Sequence, residues 1–209
     1  MSAQFISVHS DNPQNRFIKQ ICEILRKGGV AVLPTDSAYA LCCMTEQKNA
    51  MERIARIRQV DKYHNFTLLC RNLSELSTYA RVDNSVFRLL KNNTPGAYTF
   101  ILPATKEVPR RLMNEKRKTI GLRVPENAIL EAILEELDTP VMSCSLILPD
   151  SEDGSPESDP VSIMDKIGSV VDVIADGGIL SPHPTTVVVF DDGVPSVVRN
   201  GAGDPSPFM

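Results

Sequence analysis

The chain has 209 residues, 23% of them charged, and a formal net charge of −4. That length suits one α/β domain able to bury a substantial core. It holds no run of about 18 apolar residues and no basic-then-apolar leader, so a cytoplasmic protein with no membrane partner is expected. Cys22, Cys42, Cys43, Cys70 and Cys144 lack Cys-x-x-Cys spacing and read as reduced thiols.

Phe5–Val8 alternates weakly and predicts an opening strand. Asp11-Asn12-Pro13 predicts the capped start of a helix. Phe17, Ile18, Ile21, Cys22, Ile24 and Leu25 recur at helical spacing, and Gly28-Gly29 stops the helix. The glycine pair releases an apolar strand, Val30–Pro34, that runs into Thr35-Asp36-Ser37. Polar groups at a strand end are where open α/β folds place a ligand. A second extended run, Ala38–Cys43, sets the adjacent Cys42 and Cys43 on opposite faces.

Residues 46–58 predict an amphipathic helix whose end carries Arg56 and Arg58. Two arginines spaced i, i+2 diverge on a helix and share a face where the chain is extended. They read either as solvated side chains or, if the helix ends there, as a grip on one anion. A strand at Phe66–Cys70, a helix at Leu73–Tyr79, a helix capped by Asp83, a turn at 92–96 and a strand at Tyr98–Leu102 follow.

Residues 53–123 hold 15 Lys/Arg against 5 Asp/Glu, whereas residues 124–209 hold 2 against 16. The basic third is densest at Arg110, Arg111, Lys116, Arg117 and Lys118. That run reads either as a solvated face offsetting the acidic third or as a surface for an anionic partner such as structured RNA. With no Trp, 4 Tyr and 7 Phe, a stacking platform for single strands is disfavoured.

Further strands are expected at Thr119–Val124, Pro140–Leu148 and Val170–Ala175, with helices at Glu126–Leu137 and Val161–Ile167. Residues 149–160 are acidic, rich in turn formers and without apolar anchors, which predicts a mobile surface loop. Thr185–Phe190 and Pro195–Arg199 predict a hairpin around Asp191-Asp192-Gly193. The whole predicts a single α/β domain over residues 1–209, a twisted open sheet of mixed parallel and antiparallel strands flanked by helices.

No phosphate loop, Gly-x-Ser-x-Gly elbow or cluster with metal-ligand spacing is present, so no catalytic residue and no metal ligand is assigned. Thr99, Arg123, Thr185 and Arg199 are polar positions in or at the ends of apolar strands. A buried arginine needs an anionic partner, either an internal carboxylate such as Asp36 or a ligand.

Pro34-Thr35-Asp36-Ser37-Ala38-Tyr39-Ala40-Leu41, Pro95-Gly96-Ala97-Tyr98-Thr99, Arg123-Val124-Pro125 and Pro184-Thr185-Thr186-Val187 stand in an order that resembles the YrdC family. His64-Asn65-Phe66-Thr67-Leu68 and Val198–Asp204 resemble its YciO branch, and the likeness covers about residues 13–209. The resemblance implies a concave sheet face as ligand site. It places Arg56, Arg58, Thr99, Ser143, Ser145 and Arg199 on a nucleotide side and Thr35, Ser37, Tyr39, Arg123 and Thr185 on a threonine side.

Synthetases of the family condense L-threonine, bicarbonate and ATP, with Mg2+ accompanying ATP, into threonylcarbamoyl-adenylate for tRNA threonylcarbamoyladenosine. Here Arg56 replaces a Lys, Gln59 a Pro, and Ser145 an Asn of the family's Ser-x-Asn. The last change trades an amide for one hydroxyl and loses a recognition contact unless it is rebuilt. The expected function is a nucleotide- and RNA-binding protein whose pocket takes ATP, AMP or threonylcarbamoyl-adenylate, either holding that adenylate or hydrolysing it. The alternatives are the synthase itself, a non-enzymatic RNA-binding module, and an interaction protein that self-associates through its charge asymmetry. No tightly bound cofactor is expected, and the chain is expected to be a monomer or weak dimer.

Overall fold

Alternating and 3.6-residue apolar patterns resolve into ten strands and six α-helices in a computed structural model that describes residues 1–61 and 63–209. In chain order they are β1 (Gln4–Ser7), α1 (Asn15–Arg26), β2 (Ala31–Leu33), β3 (Ala40–Met44), α2 (Lys48–Arg58), β4 (Thr67–Leu69), α3 (Leu73–Tyr79) and α4 (Asn84–Asn93). There follow β5 (Tyr98–Pro103), β6 (Thr119–Arg123), α5 (Ala128–Leu137), β7 (Val141–Ser145), α6 (Pro160–Ile167), β8 (Val173–Asp176), β9 (Thr186–Asp191) and β10 (Val194–Arg199). Short 3-10 turns lie at Arg110–Leu112 and Ser206–Phe208.

Helix starts follow cap chemistry where a side-chain oxygen is available. Asn72, Asp83, Asn127 and Asp159 each accept a main-chain N–H from the first turn of α3, α4, α5 and α6. The expected start of α1 at Asp11 and Asn12 is corrected. Their N–H groups donate to His9 Nδ1, and α1 begins at Asn15 behind an extended Gln14 with no side-chain cap. Gly28 ends that region at φ +89°, a conformation that favours glycine.

The strands form one open sheet in the order β1-β8-β2-β3-β7-β4-β6-β5-β9-β10. Pairs β1/β8, β2/β8, β4/β6 and β5/β9 are parallel and the other five antiparallel, so the sheet is mixed as expected. The β9–β10 hairpin turns through Asp192 at φ +47° and Gly193 at φ +79°, as a tight two-residue turn requires.

Each face carries its own core. Ile54 of α2, Leu76 of α3, Leu90 of α4, Ile163 of α6 and Phe208 pack with Leu41, Cys43, Phe100 and Leu122 on one face. On the other, Ile21 and Leu25 of α1 and Ile133 of α5 pack with Ala31, Leu33, Cys42 and Val141. Cys42 and Cys43 thus fall on opposite faces. All five cysteines are free and buried.

The α1/α5 layer reaches as far as Val141 and Leu69. Beyond them the same face continues as Ser143, Thr67, Gly121, Thr99 and Val187, which no helix covers and which line a cavity. Residues 149–160 are less detached than their composition predicts. Pro156 is buried, Glu157 N–H donates to Leu146 O at 2.8 Å, and Tyr39 N–H donates to Glu157 O at 3.1 Å. Long-range main-chain bonds tie the second half of that segment to the ends of β3 and β7.

Candidate functional site

Strand β6 explains where the site lies. Thr119, Gly121 and Arg123 alternate onto the uncovered face, while Ile120 and Leu122 enter the core behind it. At about 3.3 Å per residue, Thr119 and Arg123 are about 13 Å apart and mark two ends of the cavity. Its volume is about 280 Å³. A Cβ on Gly121 would meet Thr67 Oγ1 at 3.0 Å, so glycine keeps the floor open there.

At the Arg123 end, Arg123 donates from Nη2 to Asp36 Oδ1 at 2.7 Å, and Ser37 Oγ lies 3.4 Å from the same nitrogen. Asp36 Oδ2 also accepts the N–H of Glu126 at 2.8 Å. Thr99 and Thr185 join their hydroxyls at 2.7 Å across β5 and the start of β9. Arg199 donates from Nε to Thr185 O and from Nη2 to Thr185 Oγ1, both at 3.0 Å. Arg199 has no carboxylate partner among the described residues. Burial, followed by the charge of Arg123, holds the Arg199 pKa below its usual value. Burial does the same for Arg123, with Asp36 opposing it.

The Thr119 end is lined by Arg58, His64, Asn65, Asn114, Arg117 and Ser145. Arg58, the last residue of α2, donates from Nη1 to Ser145 O at 2.5 Å and lies 3.2 Å from Cys144 Sγ. Its Nε is buried without a partner. Burial raises the Cys144 pKa, and Arg58 opposes the rise. His64 stands edge-on to Phe66 at 5.2 Å, and burial together with Arg58 lowers its pKa. Ser143 and Thr67, opposite each other in β7 and β4, connect the two ends.

The structure therefore brings together Arg58, Thr99, Arg123, Ser143, Ser145, Thr185 and Arg199, with Arg117 at the wall. It does not bring in Arg56. Helix α2 continues through Arg58 and turns left-handed only at Gln59, at φ +54°. The two arginines stay on helical backbone and diverge, Arg56 lining a separate cavity with Arg53, Leu148 and Lys166. The shared grip on one anion is thus corrected.

Thr35 and Tyr39 also lie away from the cavity. Thr35 Oγ1 is 2.6 Å from Ala38 O and accepts the N–H of Ser37 at 3.0 Å, which consumes it in the turn. Tyr39 is buried in the helix-covered face, where its hydroxyl donates to Gly178 O at 2.6 Å and accepts the N–H of Gly177 at 3.1 Å. Burial pushes its pKa up. Ser37 reaches the site through Arg123 alone.

Arg110, Arg111, Lys116 and Lys118 are exposed beside the cavity, and Arg111 donates to Thr45 O. Among the described residues none of these four nor Arg117 forms an ion pair.

His64, Asn65, Thr67, Asn114 and Thr119 line the cavity without having been singled out as site residues from the sequence. The first three sit in the branch segment quoted above, a signal of position but not of role. Asn114 is masked by the basic residues around it. The wall holds cations, hydroxyls and amides but no carboxylate. Among the described residues no three His, Cys, Asp or Glu side chains form a group that holds a metal. No helix among them is long and apolar enough to cross a membrane.

Together these features define a class of α/β protein in which a mixed open sheet leaves part of one face uncovered and lined by arginines, hydroxyls and amides. The chain belongs to the Sua5/YciO/YrdC family, whose model, described as telomere recombination, matches residues 23–201. YciO of Escherichia coli K12 is 61% identical over 99% of this chain and all of its own length. The crystal structure of E. coli YciO superposes with a TM-score of 0.94 over 99% of this chain and 100% of that one. A threonylcarbamoyl-AMP synthase of Vibrio vulnificus is 26% identical over 79% of this chain and 89% of its own. P. abyssi Sua5 complexed with L-threonine shares the fold, with a TM-score of 0.84 at 20% identity over 94% of this chain and 57% of that one.

Proposed function

We propose that the bare sheet face binds an adenine nucleotide or threonylcarbamoyl-adenylate, and that its reaction is hydrolysis of that adenylate rather than its synthesis. The observation that carries this reading is the excess of positive charge on one wall: Arg58, Arg117, Arg123 and Arg199 line it and no acid does. Asp36, beside the wall, answers only Arg123. Anionic groups on a ligand would supply the missing charge. The family membership and the threonylcarbamoyl-AMP synthase among its relatives support an adenylate with threonine as its other half.

Arg123 and Thr185 suit a carboxylate; Thr99 and Arg199, which the resemblance places on the nucleotide side, bond to Thr185 and join that end instead, while Arg58 and Arg117 suit a phosphate. Fixed donors at both ends act by positioning and charge stabilisation, with no covalent residue. Water adds to the carbamoyl carbon, the bond to the phosphate oxygen breaks, and AMP leaves with threonine carbamate as the other product. Because the wall offers no carboxylate, a magnesium ion accompanying ATP would be held by phosphate oxygens and water.

RNA is the second partner proposed, on the unpaired cations Arg110, Arg111, Lys116, Arg117 and Lys118 at the cavity mouth. Buried free thiols support a reducing compartment, the cytoplasm.

Calorimetry with ATP, AMP and threonylcarbamoyl-adenylate tests the pocket. The adenylate is expected to bind and to yield AMP, with little formed from threonine, bicarbonate and ATP. Ser145→Asn is expected to raise synthesis. Synthesis by the unaltered protein at about 1 per second, a rate ordinary for enzymes, overturns the hydrolytic reading.

A further inference from the structure

The Asn65–Asn114 contact at the Thr119 end fixes which way a side-chain amide faces the cavity. Asn114 Oδ1 accepts the main-chain N–H of Lys116 at 3.1 Å and of Arg117 at 2.9 Å. An NH2 group cannot accept those bonds, so the orientation of the Asn114 amide is set by its own loop. Two main-chain bonds close that loop, Asn114 N–H to Thr119 O at 2.9 Å and Lys118 N–H to Asn114 O at 2.8 Å. Asn114 Nδ2 then donates to Asn65 Oδ1 at 3.1 Å.

That bond determines Asn65 in turn. Its oxygen is engaged, and its Nδ2, with two N–H donors, has no protein partner among the described residues. Thr67, the first residue of β4, pairs with Ser143 on one side and Gly121 on the other, and the exposed Asn65 lies just before it, toward the end of the sheet where β7 carries Ser145 and β6 carries Thr119. Asn65, Ser145 and Thr119 all line the cavity. Arg58 and Arg117 line the same end, and guanidinium groups only donate.

An amide NH2 and two guanidinium ions that only donate, beside two hydroxyls that can donate as well as accept, suit an oxyanion. A nucleobase edge alternates donors with acceptors and would leave some of these unmatched. We infer that Asn65 is a specificity-determining contact for the phosphate of the bound nucleotide, with Asn114 the positioning residue that keeps its NH2 directed into the cavity. The inference rests on the nucleotide reading above and adds where the phosphate lies and which amide selects it. It also supplies a donor at the same end of the cavity as Ser145, where an amide is missing from β7.

The test compares AMP with adenosine on the full chain, by calorimetry, with the melting temperature of each variant as a check on folding. Asn65→Asp keeps the shape but presents only acceptors and a negative charge. It is expected to weaken AMP by about 10- to 100-fold, the worth of a hydrogen bond to a charged group, and to leave adenosine within about threefold. Asn65→Ala is expected to act in the same direction without the added charge. Asn114→Ala frees the Asn65 amide to rotate and is expected to lower the AMP-to-adenosine affinity ratio by a smaller factor. A fall of both ligands together assigns the amide to base or ribose and overturns the inference, as does an unchanged ratio. If the unaltered protein binds neither ligand, the nucleotide reading itself fails, which is a separate result.

Discussion

Arg123 and Asp36 meet at 2.7 Å with side chains only 6% and 10% exposed, yet Asp36 engages a single edge of the guanidinium and leaves Arg123 Nε buried without a partner. The pair is thus a half-completed ion site. Asp36→Asn removes the charge that compensates a buried arginine and is expected to destabilise the fold by about 3 kcal/mol in urea denaturation. Phosphate in the buffer is expected to raise the melting temperature more for this variant than for the unaltered chain. An equal phosphate effect on both would show that phosphate does not take the place of the Asp36 charge beside Arg123.

Arg58 and Arg56 separate binding from surface charge. Arg58→Ala is expected to cost about 1.5–3 kcal/mol of nucleotide affinity, because hydrogen bonds to charged groups are worth that much. Arg56→Ala, which alters a different cavity, is expected to leave that affinity unchanged. Calorimetry on both variants with AMP checks the contrast, and equal losses would contradict the divergence described for α2.

RNA binding is expected to weaken with salt, log K falling by about 0.9 per phosphate contact against log salt. Reversing Lys116 and Lys118 to Glu is expected to reduce that slope and to leave AMP binding unchanged, since neither lines the cavity. Arg117→Glu is expected to impair both partners. Filter binding of a structured RNA across a salt series provides the measurement, and a flat salt response removes RNA from the proposal.

His64 has its pKa lowered from 6.5 in the folded state by burial and by Arg58. Between the folded and unfolded values the unfolded chain binds more protons, so stability falls as the pH drops below about 6.5. His64→Gln is expected to flatten this part of the acid limb when urea midpoints at pH 5.5 and 7.5 are compared. An AMP phosphate beside His64 would favour its protonation, so binding near pH 6 is expected to take up protons, measurable from the buffer dependence of the binding heat.

Much of the frame is readable from local pattern. The helix expected at Leu73–Tyr79 has those bounds in the structure, and the alternation through Cys42 and Cys43 assigns each to its face. Reading fails where one residue of backbone conformation decides the outcome. Whether α2 ends before or after Arg58 determines where Arg56 goes, and no composition signal marks that difference. Tyr39 shares a motif with Ser37, but the bend at residues 36–38 breaks the alternation between them, and Tyr39 enters the core with Leu41 and Cys43, away from Arg123. The acidic segment looked detached because the bonds that hold it are main-chain to main-chain and have no side-chain signature. Asn65 and Asn114 lie 49 positions apart, and only the sheet makes them neighbours.

Phe208 lies on the reverse of the ligand-facing strands. Its ring stands 5.2 Å from that of Tyr98 and 5.7 Å from that of Phe100, the residues on either side of Thr99. The preceding segment is fastened to the same strands, with Tyr98 donating from its hydroxyl to Asp204 O at 2.9 Å and Thr186 to Gly203 O at 2.5 Å. These residues act as a keel under β5 and β9. The strands that carry the Thr99 and Thr185 hydroxyls thus rest on aromatic packing among buried residues behind them. Loosening that packing with Phe208→Leu would let the two strands settle differently. Selectivity at the front of the sheet can therefore drift through changes at its back, while every residue in the cavity stays the same.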